Sequence, residues 1–334
     1  MPAFTASAPG KIILFGEHAV VYGQPAIAVP VSQVRARAVV IANITRALAG
    51  GERPSSPQPG LSAVIVDAPE VSLHSSLADL PAGHPLARAI VSVFETLKVS
   101  QPPSCTVRIR STIPLAAGMG SGAAVSVAVI RALSAFLGHP LPLEQVSALA
   151  FEVEKIHHGT PSGIDNSVVT FAKPVYYLRG QPIQILKLPA AFHIVIGNTG
   201  VSSPTAAVVG DVRRGWQTDP PAYESLFSAI GDIARQARKL IESGSPHSLG
   251  PLMDQNHALL SQLGVSSPQL DALVKAARQS GALGAKLSGG GRGGAMIALV
   301  DEKMAAPVAQ ALLEQGAVTV IRTTVGGKNR RTNV

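Results

Sequence analysis

One cysteine in 334 residues, Cys105, leaves no internal disulfide to brace the chain and no cysteine pair for a zinc site, and it fits a reducing compartment. Aromatic residues make up 4% and charged residues 14%, against about 25% charged in an ordinary globular domain. A groove that tracks a nucleic-acid backbone and stacks bases needs both. No run of lysine and arginine exceeds two residues, so the net charge of +8 points to small anionic ligands instead. Long apolar runs are also scarce. The most apolar stretch, Ala123 to Leu137, is broken by Arg131 and falls short of the ~20 residues a membrane span needs. Lys11 precedes only Ile-Ile-Leu-Phe, so no secretory leader is expected and the expected setting is cytoplasmic. Hydrophobic residues at 46% exclude disorder.

What is present is glycine, 32 residues, and proline, 26, which imply many turns. Alternation over Val31 to Ile41 predicts a strand with Arg35 and Arg37 on one face. Residues 49–60 read as a loop, and Val64 to Val66 as a short strand. Leu86, Ile90, Phe94 and Leu97 recur at helical spacing, and Thr106 to Arg110 reads as a strand. An apolar helix is expected from about Ala123, and a second from near Pro142 to Gly159. Short strands are expected at Val168 to Phe171, Val175 to Leu178 and Ile183 to Leu188.

Near residue 190 the pattern changes. A strand at His193 to Gly197 leads to helices, one with a stripe of Leu226, Ile230, Ile233, Ala237 and Leu240. Further helices are expected at 246–262, 268–280 and 303–315, and strands at Gly294 to Val300 and Val318 to Thr323. Gly326 to Val334 reads as a frayed tail. The mixture lacks regular βαβ alternation, which implies an α+β fold in two domains, 1–190 and 191–325.

Three segments carry chemistry. In Pro9-Gly10-Lys11-Ile-Ile-Leu-Phe-Gly16-Glu17-His18-Ala-Val-Val-Tyr-Gly23 a strand with a lysine runs into a turn bearing a carboxylate and an imidazole. Alone, it reads more readily as a surface lysine before a hairpin. In Pro114-Leu-Ala-Ala-Gly118-Met-Gly120-Ser121-Gly122-Ala123-Ala124, glycines precede a helix whose unpaired N–H groups suit a phosphate. No Gly-Lys-Ser/Thr closes it, so it is not a P-loop, and its spacing is not a dinucleotide fingerprint. In Glu154-Lys-Ile-His157-His158-Gly-Thr-Pro-Ser-Gly-Ile-Asp165-Asn166, two carboxylates flank a tight turn and can divide metal binding from proton transfer. Adjacent helical histidines point about 100° apart, so a His/His metal site is not expected. A fourth segment, Gly284 to Gly294, reads as a glycine-rich loop feeding a buried strand.

In this order and spacing the segments resemble those of the galactokinase, homoserine kinase, mevalonate kinase and phosphomevalonate kinase superfamily, and within it the mevalonate kinases. Asn256-His257-Ala-Leu-Leu and Leu263-Gly-Val-Ser add to the likeness, which runs from about Ala8 to Val300. The resemblance implies a two-lobed fold, ribosomal-protein-like at the N-terminus and ferredoxin-like at the C-terminus, with ATP between the lobes. It implies phosphorylation of mevalonate at its 5-hydroxyl, with ATP as co-substrate and Mg²⁺ as cofactor. Asp165 would accept the hydroxyl proton beside Lys11. Pro114, Ala117, Gly118, Met119, Gly120, Ser121, Gly122, Ala123 and Ala124 would wrap the ATP phosphates. Ser121 and Glu154 would hold the metal. Lys11, Glu17, His18, Asp165, Thr205, Gly289 and Gly290 would line the substrate pocket. The expected partners are mevalonate and ATP, not nucleic acid or a membrane, with a homodimer as the candidate assembly.

Two departures stand out. Met119 and Gly122 replace a usual leucine and a second serine, and Arg292 stands where the family usually has glycine. A guanidinium there would either reach a phosphate oxygen or point to solvent. The competing readings are a phosphomevalonate kinase or mevalonate-type decarboxylase and, from another class, a basic nucleic-acid-binding protein.

Overall fold

In chain order the elements are β1 (Ala3–Phe15), β2 (Ala26–Ala42), β3 (Val64–Ala68), β4 (Leu73–Ser76), α1 (Pro85–Thr96), β5 (Cys105–Ser111), α2 (Ser121–Phe136), α3 (Leu143–His158) and α4 (Ile164–Phe171). There follow β6 (Val175–Tyr177), β7 (Gln184–Ile185), β8 (Phe192–Asn198), α5 (Thr205–Thr218), α6 (Pro220–Glu242), α7 (Leu249–Gln262), α8 (Pro268–Gln279), β9 (Gly284–Ser288), β10 (Ala295–Val300), α9 (Ala305–Glu314) and β11 (Thr319–Val325). They are seen in a computed structural model that describes residues 3–43, 60–115, 117–158, 162–203 and 205–326, side chains at 157 and 158 excepted. The loop expected over 49–59, the helix end expected at Gly159 and the tail expected over 327–334 lie outside those residues. The described residues of 1–10, 34–113 and 120–171 form one compact unit, and those of 11–33, 114–119 and 172–334 a second.

In the first unit the far half of β2 pairs antiparallel with β5, which pairs parallel with β3, and β3 antiparallel with β4. Ala36, Ala38 and Val40 alternate with exposed Arg35 and Arg37, and Val107 and Ile109 with exposed Arg108 and Arg110. Period-2 alternation sends the apolar set to one face, where α2 packs against β5. On α1 the expected stripe buries Ile90 and Phe94. Helix α2, apolar nearly all round, buries Ala123, Ala124, Val127, Ile130 and Leu133 among α1, α3 and α4.

The strand expected at Val168 to Phe171 is instead the end of α4. Its Val-Val-Thr run favours extended backbone locally, but Ile164, Val168 and Val169 share a fully buried face against α2 and α3. Burying such side chains contributes about 1.5–3 kcal/mol each, while helix propensity among ordinary residues spans only about 0.7 kcal/mol. Packing wins. Asn166 pins the first turn of α4 to α3, its Nδ2 donating to the Ser147 carbonyl at 3.0 Å and the Ser147 hydroxyl at 2.9 Å.

In the second unit a sheet of order β11-β8-β10-β9 is antiparallel throughout. Its path of strand, helices, strand, strand, helix, strand is the ferredoxin-like arrangement, as expected. Ile230, Ile233 and Ala237 of α6 are buried as its stripe requires, with Leu226 and Leu240 half-buried at its margins. Gly284 to Ser288, expected as part of a loop, is the fully buried strand β9, and the loop is confined to 289–294. The glycine there serves contact with a helix. A Cβ on Gly284 would lie 2.1 Å from the Gly250 carbonyl oxygen, and one on Gly250 2.1 Å from that of Leu283. Two bare backbones therefore let α7 rest on the start of β9. Among the described residues no helix is long and apolar enough to cross a membrane.

Candidate active site

Strand β1 carries Lys11 into the interior, where it is 4% exposed, and its N–H donates to the Met119 carbonyl at 3.0 Å. The chain then turns at Gly16, whose φ of +97° and lack of Cβ are both required: a Cβ would lie 2.4 Å from the Pro25 carbonyl. Glu17 and His18 emerge from that turn at 1% and 6% exposure. His18 itself has φ 59°, a left-handed conformation that costs a non-glycine residue on the order of 1–3 kcal/mol and concentrates at working sites. Its Nε2 lies 3.0 Å from the Gly290 carbonyl, which only accepts, so Nε2 carries the proton and Nδ1 keeps a lone pair. Burial, then the cations of Arg292 and Lys286, lower its pKa to about 4 against the pull of Gly290, so the ring is neutral at pH 7.

Glu17 Oε1 accepts from Lys286 Nζ, a fully buried ammonium in mid-β9 that also donates to the Leu287 carbonyl at 2.6 Å. Burial raises the Glu17 pKa and lowers that of Lys286, each resisted by the partner, and Lys11 further supports the carboxylate. Glu17 Oε2 is buried with no hydrogen-bond partner among the described residues. The turn therefore offers two acceptors, Glu17 Oε2 and His18 Nδ1, close to the lysine cations. Such a set suits a ligand rich in hydroxyl donors.

The glycine loop after β9 closes around the same residues. Ser288 Oγ accepts from Ile13 N–H at 3.1 Å and donates to the Ile13 carbonyl at 2.9 Å, tying β9 to β1. A Cβ on Gly290 would lie 2.6 Å from Thr205 Oγ1 and 2.9 Å from Ser203 Oγ, and Ser203 Oγ donates to the Gly291 carbonyl at 2.9 Å. A Cβ on Gly289 would lie 3.5 Å from the Gly118 carbonyl. The second unit thus brings together Lys11, Glu17, His18, Thr205, Gly289, Gly290 and the Ala117–Met119 end of the loop that starts at half-buried Pro114. Arg292 follows neither sequence expectation in full. Its guanidinium is part-exposed but bound, Nε donating to the Gly264 carbonyl at 3.1 Å and Nη1 to Asp211 of α5.

The remaining predicted residues belong to the first unit. Gly120 has φ 70° and caps α2. Ser121 is half-buried, Gly122 exposed, and Ala123 and Ala124 buried. The first turn of α2 presents its unpaired N–H groups and positive dipole end there. Glu154, 3% exposed, lies about one turn before the end of α3, and Asp165 is the second residue of α4. Lys286, Ser288 and Ser203 were not anticipated from sequence. The available signal was a lysine inside an otherwise apolar segment.

Profiles for the GHMP kinases N terminal domain and the GHMP kinases C terminal domain match residues 86–173 and 237–318. The chain is 38% identical over 324 residues to a mevalonate kinase of Thermococcus gammatolerans, covering 95% of this chain and 94% of the relative. It is 30% identical over 320 residues to that of Saccharolobus solfataricus, covering 96% of each. A crystal structure of L. major mevalonate kinase in complex with R-mevalonate superposes with a TM-score of 0.79 at 30% identity, over 97% of this chain and 96% of that one.

Proposed function

The chain belongs to the GHMP kinases, and within them to the mevalonate kinase family, and from that membership we propose that it transfers the γ-phosphoryl group of ATP to the 5-hydroxyl of mevalonate. The observation that carries this reading is the buried turn at Glu17 and His18. It supplies acceptors for hydroxyl donors next to the Lys11 cation, which suits a hydroxy acid.

Phosphoryl transfer needs positioning and charge neutralisation more than covalent work. In our reading Asp165 takes the proton from the attacking hydroxyl and Lys11 stabilises the alkoxide. The Pro114–Ala124 segment holds the phosphates on glycine backbone and the first turn of α2. Glu17, His18, Thr205 and the backbone of Gly289 and Gly290 hold the acceptor. Mg²⁺ fits Ser121 and Glu154: a hydroxyl and a buried carboxylate are hard oxygen donors, and burial of that carboxylate is eased by a bound cation. Among the described residues no group of three acidic, histidine or cysteine side chains could cage a metal, so nucleotide oxygens would complete its shell. When bound, the metal neutralises charge on the phosphates. The proposed setting is cytoplasmic, where Cys105, its thiol pushed up to about 11 by burial, stays inert.

ADP release measured over mevalonate, phosphomevalonate, homoserine and galactose tests the reading, with turnover of mevalonate expected. A preference for phosphomevalonate would overturn it in favour of the kinase or decarboxylase acting on the phosphorylated acid. That second reading wants extra cations where this turn presents acceptors. Asp165→Asn should lower kcat by about 10²–10⁴-fold with KM for ATP nearly unchanged, and near-wild-type turnover would remove Asp165 from the role.

A further inference from the structure

Lysine is almost never fully buried without a specific partner, yet Lys286 is 0% exposed between Ala285 and Leu287 of β9. Its partner, Glu17, is 269 positions away in the sequence. The strand that holds Lys286 is locked on both sides. Leu287 N–H donates to His257 Nδ1 at 3.3 Å, and Ser288 Oγ bridges the N–H and carbonyl of Ile13. The ammonium is therefore placed by the strand rather than by a free-swinging stem.

Stability alone gives a poor account of this pair. A buried ion pair is often no more stabilising than apolar residues of the same volume, and β9 is otherwise apolar or small. Moreover, the pair is incomplete: Glu17 Oε2 has no partner among the described residues, and a buried acceptor left empty is costly. One oxygen is held and the other is left to receive a donor.

We propose that Lys286 is a positioning residue of the alcohol pocket, fixing the Glu17 carboxylate through Oε1 so that Oε2 accepts a hydrogen bond from a substrate hydroxyl. This rests on the function proposed above. The other charged groups that act on the pair and its neighbours are Lys11 on β1, Arg292 in the glycine loop, and His257 with Asp271 and Arg278. Lys11 supports the Glu17 carboxylate, but burial is the largest influence on Glu17 and Lys286 the largest opposing one. Without Lys286, burial acts on Glu17 with its largest opponent gone, and the carboxyl moves further above its ordinary range.

The test is the pH profile of K286M. Its KM for mevalonate should rise at least about tenfold while its KM for ATP stays nearly constant. Its kcat/KM for mevalonate should climb toward alkaline pH, as a lone buried carboxyl ionises at higher pH than the paired carboxyl of the wild type. Stability should run the other way: a carboxyl whose folded pKa is raised loses its stabilising contribution as pH rises through that value, so the Tm of K286M falls as pH climbs from the ordinary carboxyl range through it. Losses in both KM values together with no such alkaline climb would mean a merely structural pair and overturn the proposal.

Should K286M fail to fold, E17Q and E17Q/K286M, neither of which leaves a lone buried carboxylate, decide the matter. Their KM values for mevalonate should agree within about twofold, because Lys286 acts only through Glu17. A further tenfold rise in the double variant would overturn the proposal. Wild-type turnover is the control for the reading of function. If mevalonate is not turned over, that reading fails, and the same variants assayed with whichever alcohol the wild type accepts still decide the role of Lys286.

Discussion

The two glycine-rich segments look alike on paper and are built for opposite reasons. At Gly118 an added Cβ would make only ordinary van der Waals contact, 3.9 Å from the Ser288 carbonyl oxygen, so glycine there serves the left-handed φ of 71°. At Gly291 a Cβ would lie 2.0 Å from the Val265 carbonyl, and at Gly293 2.7 Å from that of Val201. Glycine in the second loop is a packing requirement, and the loop is buried except at Arg292. At Gly118 glycine is set by backbone conformation; the second loop closes a core against α5 and the segment after α7. Glycine content alone marks neither purpose.

The largest effect that would break this contrast is in the second loop. Gly291→Ala combines a backbone clash with φ +82° and should destabilise by more than about 4 kcal/mol, the exceptional end of single substitutions. Chemical denaturation giving a loss under about 1 kcal/mol would show that the loop yields and the contrast is false.

Acid should weaken the second loop next, through His18, which rests on the Gly290 carbonyl. Its folded pKa is depressed from 6.5 to about 4. A depressed group contributes stability that is present above its unfolded pKa and lost as pH falls through its folded one. Protonation should therefore remove on the order of 3 kcal/mol between pH 6.5 and 4. His18→Asn should reduce this part of the stability–pH slope, leaving the contribution of His257, also lowered to about 4. An unchanged slope would mean that His18 does not titrate as described.

Gly118→Ala sharpens the comparison from the other side. With no clash to relieve, its expected cost is the left-handed strain alone, about 1–2 kcal/mol. A Tm drop as large as that of Gly291→Ala would erase the distinction.

Arg292→Gly should do least. It removes an exposed ion pair, of a kind that contributes little to stability, and relieves the φ of 55° at that residue, two effects that oppose each other. Because the guanidinium is spent on Asp211 and Gly264, kcat/KM should change by less than about tenfold. A larger loss would place Arg292 on the nucleotide after all.

Much of the fold was legible because it rests on local periodicity. The alternation of β2 and β5, the stripe of α6 and the turn into α2 each announce themselves within a dozen residues. The failures share a cause. Val168 to Phe171 has strand-like composition but lies where three buried apolar side chains favour a helix. Gly284 to Ser288 looks like loop because its glycine is matched to a glycine of α7 that no local window includes.

The same division runs through the site. The sequence by itself marked most of the elements and the motif residues, Lys11, Glu17 and His18 among them, because residue spacing along a strand or turn is a local property. Only the tertiary structure decided the protonation of His18, the partner of Glu17 and the engagement of Arg292. Those depend on desolvation and on charges that meet across 269 and 81 positions of chain, where the linear pattern carries no signal.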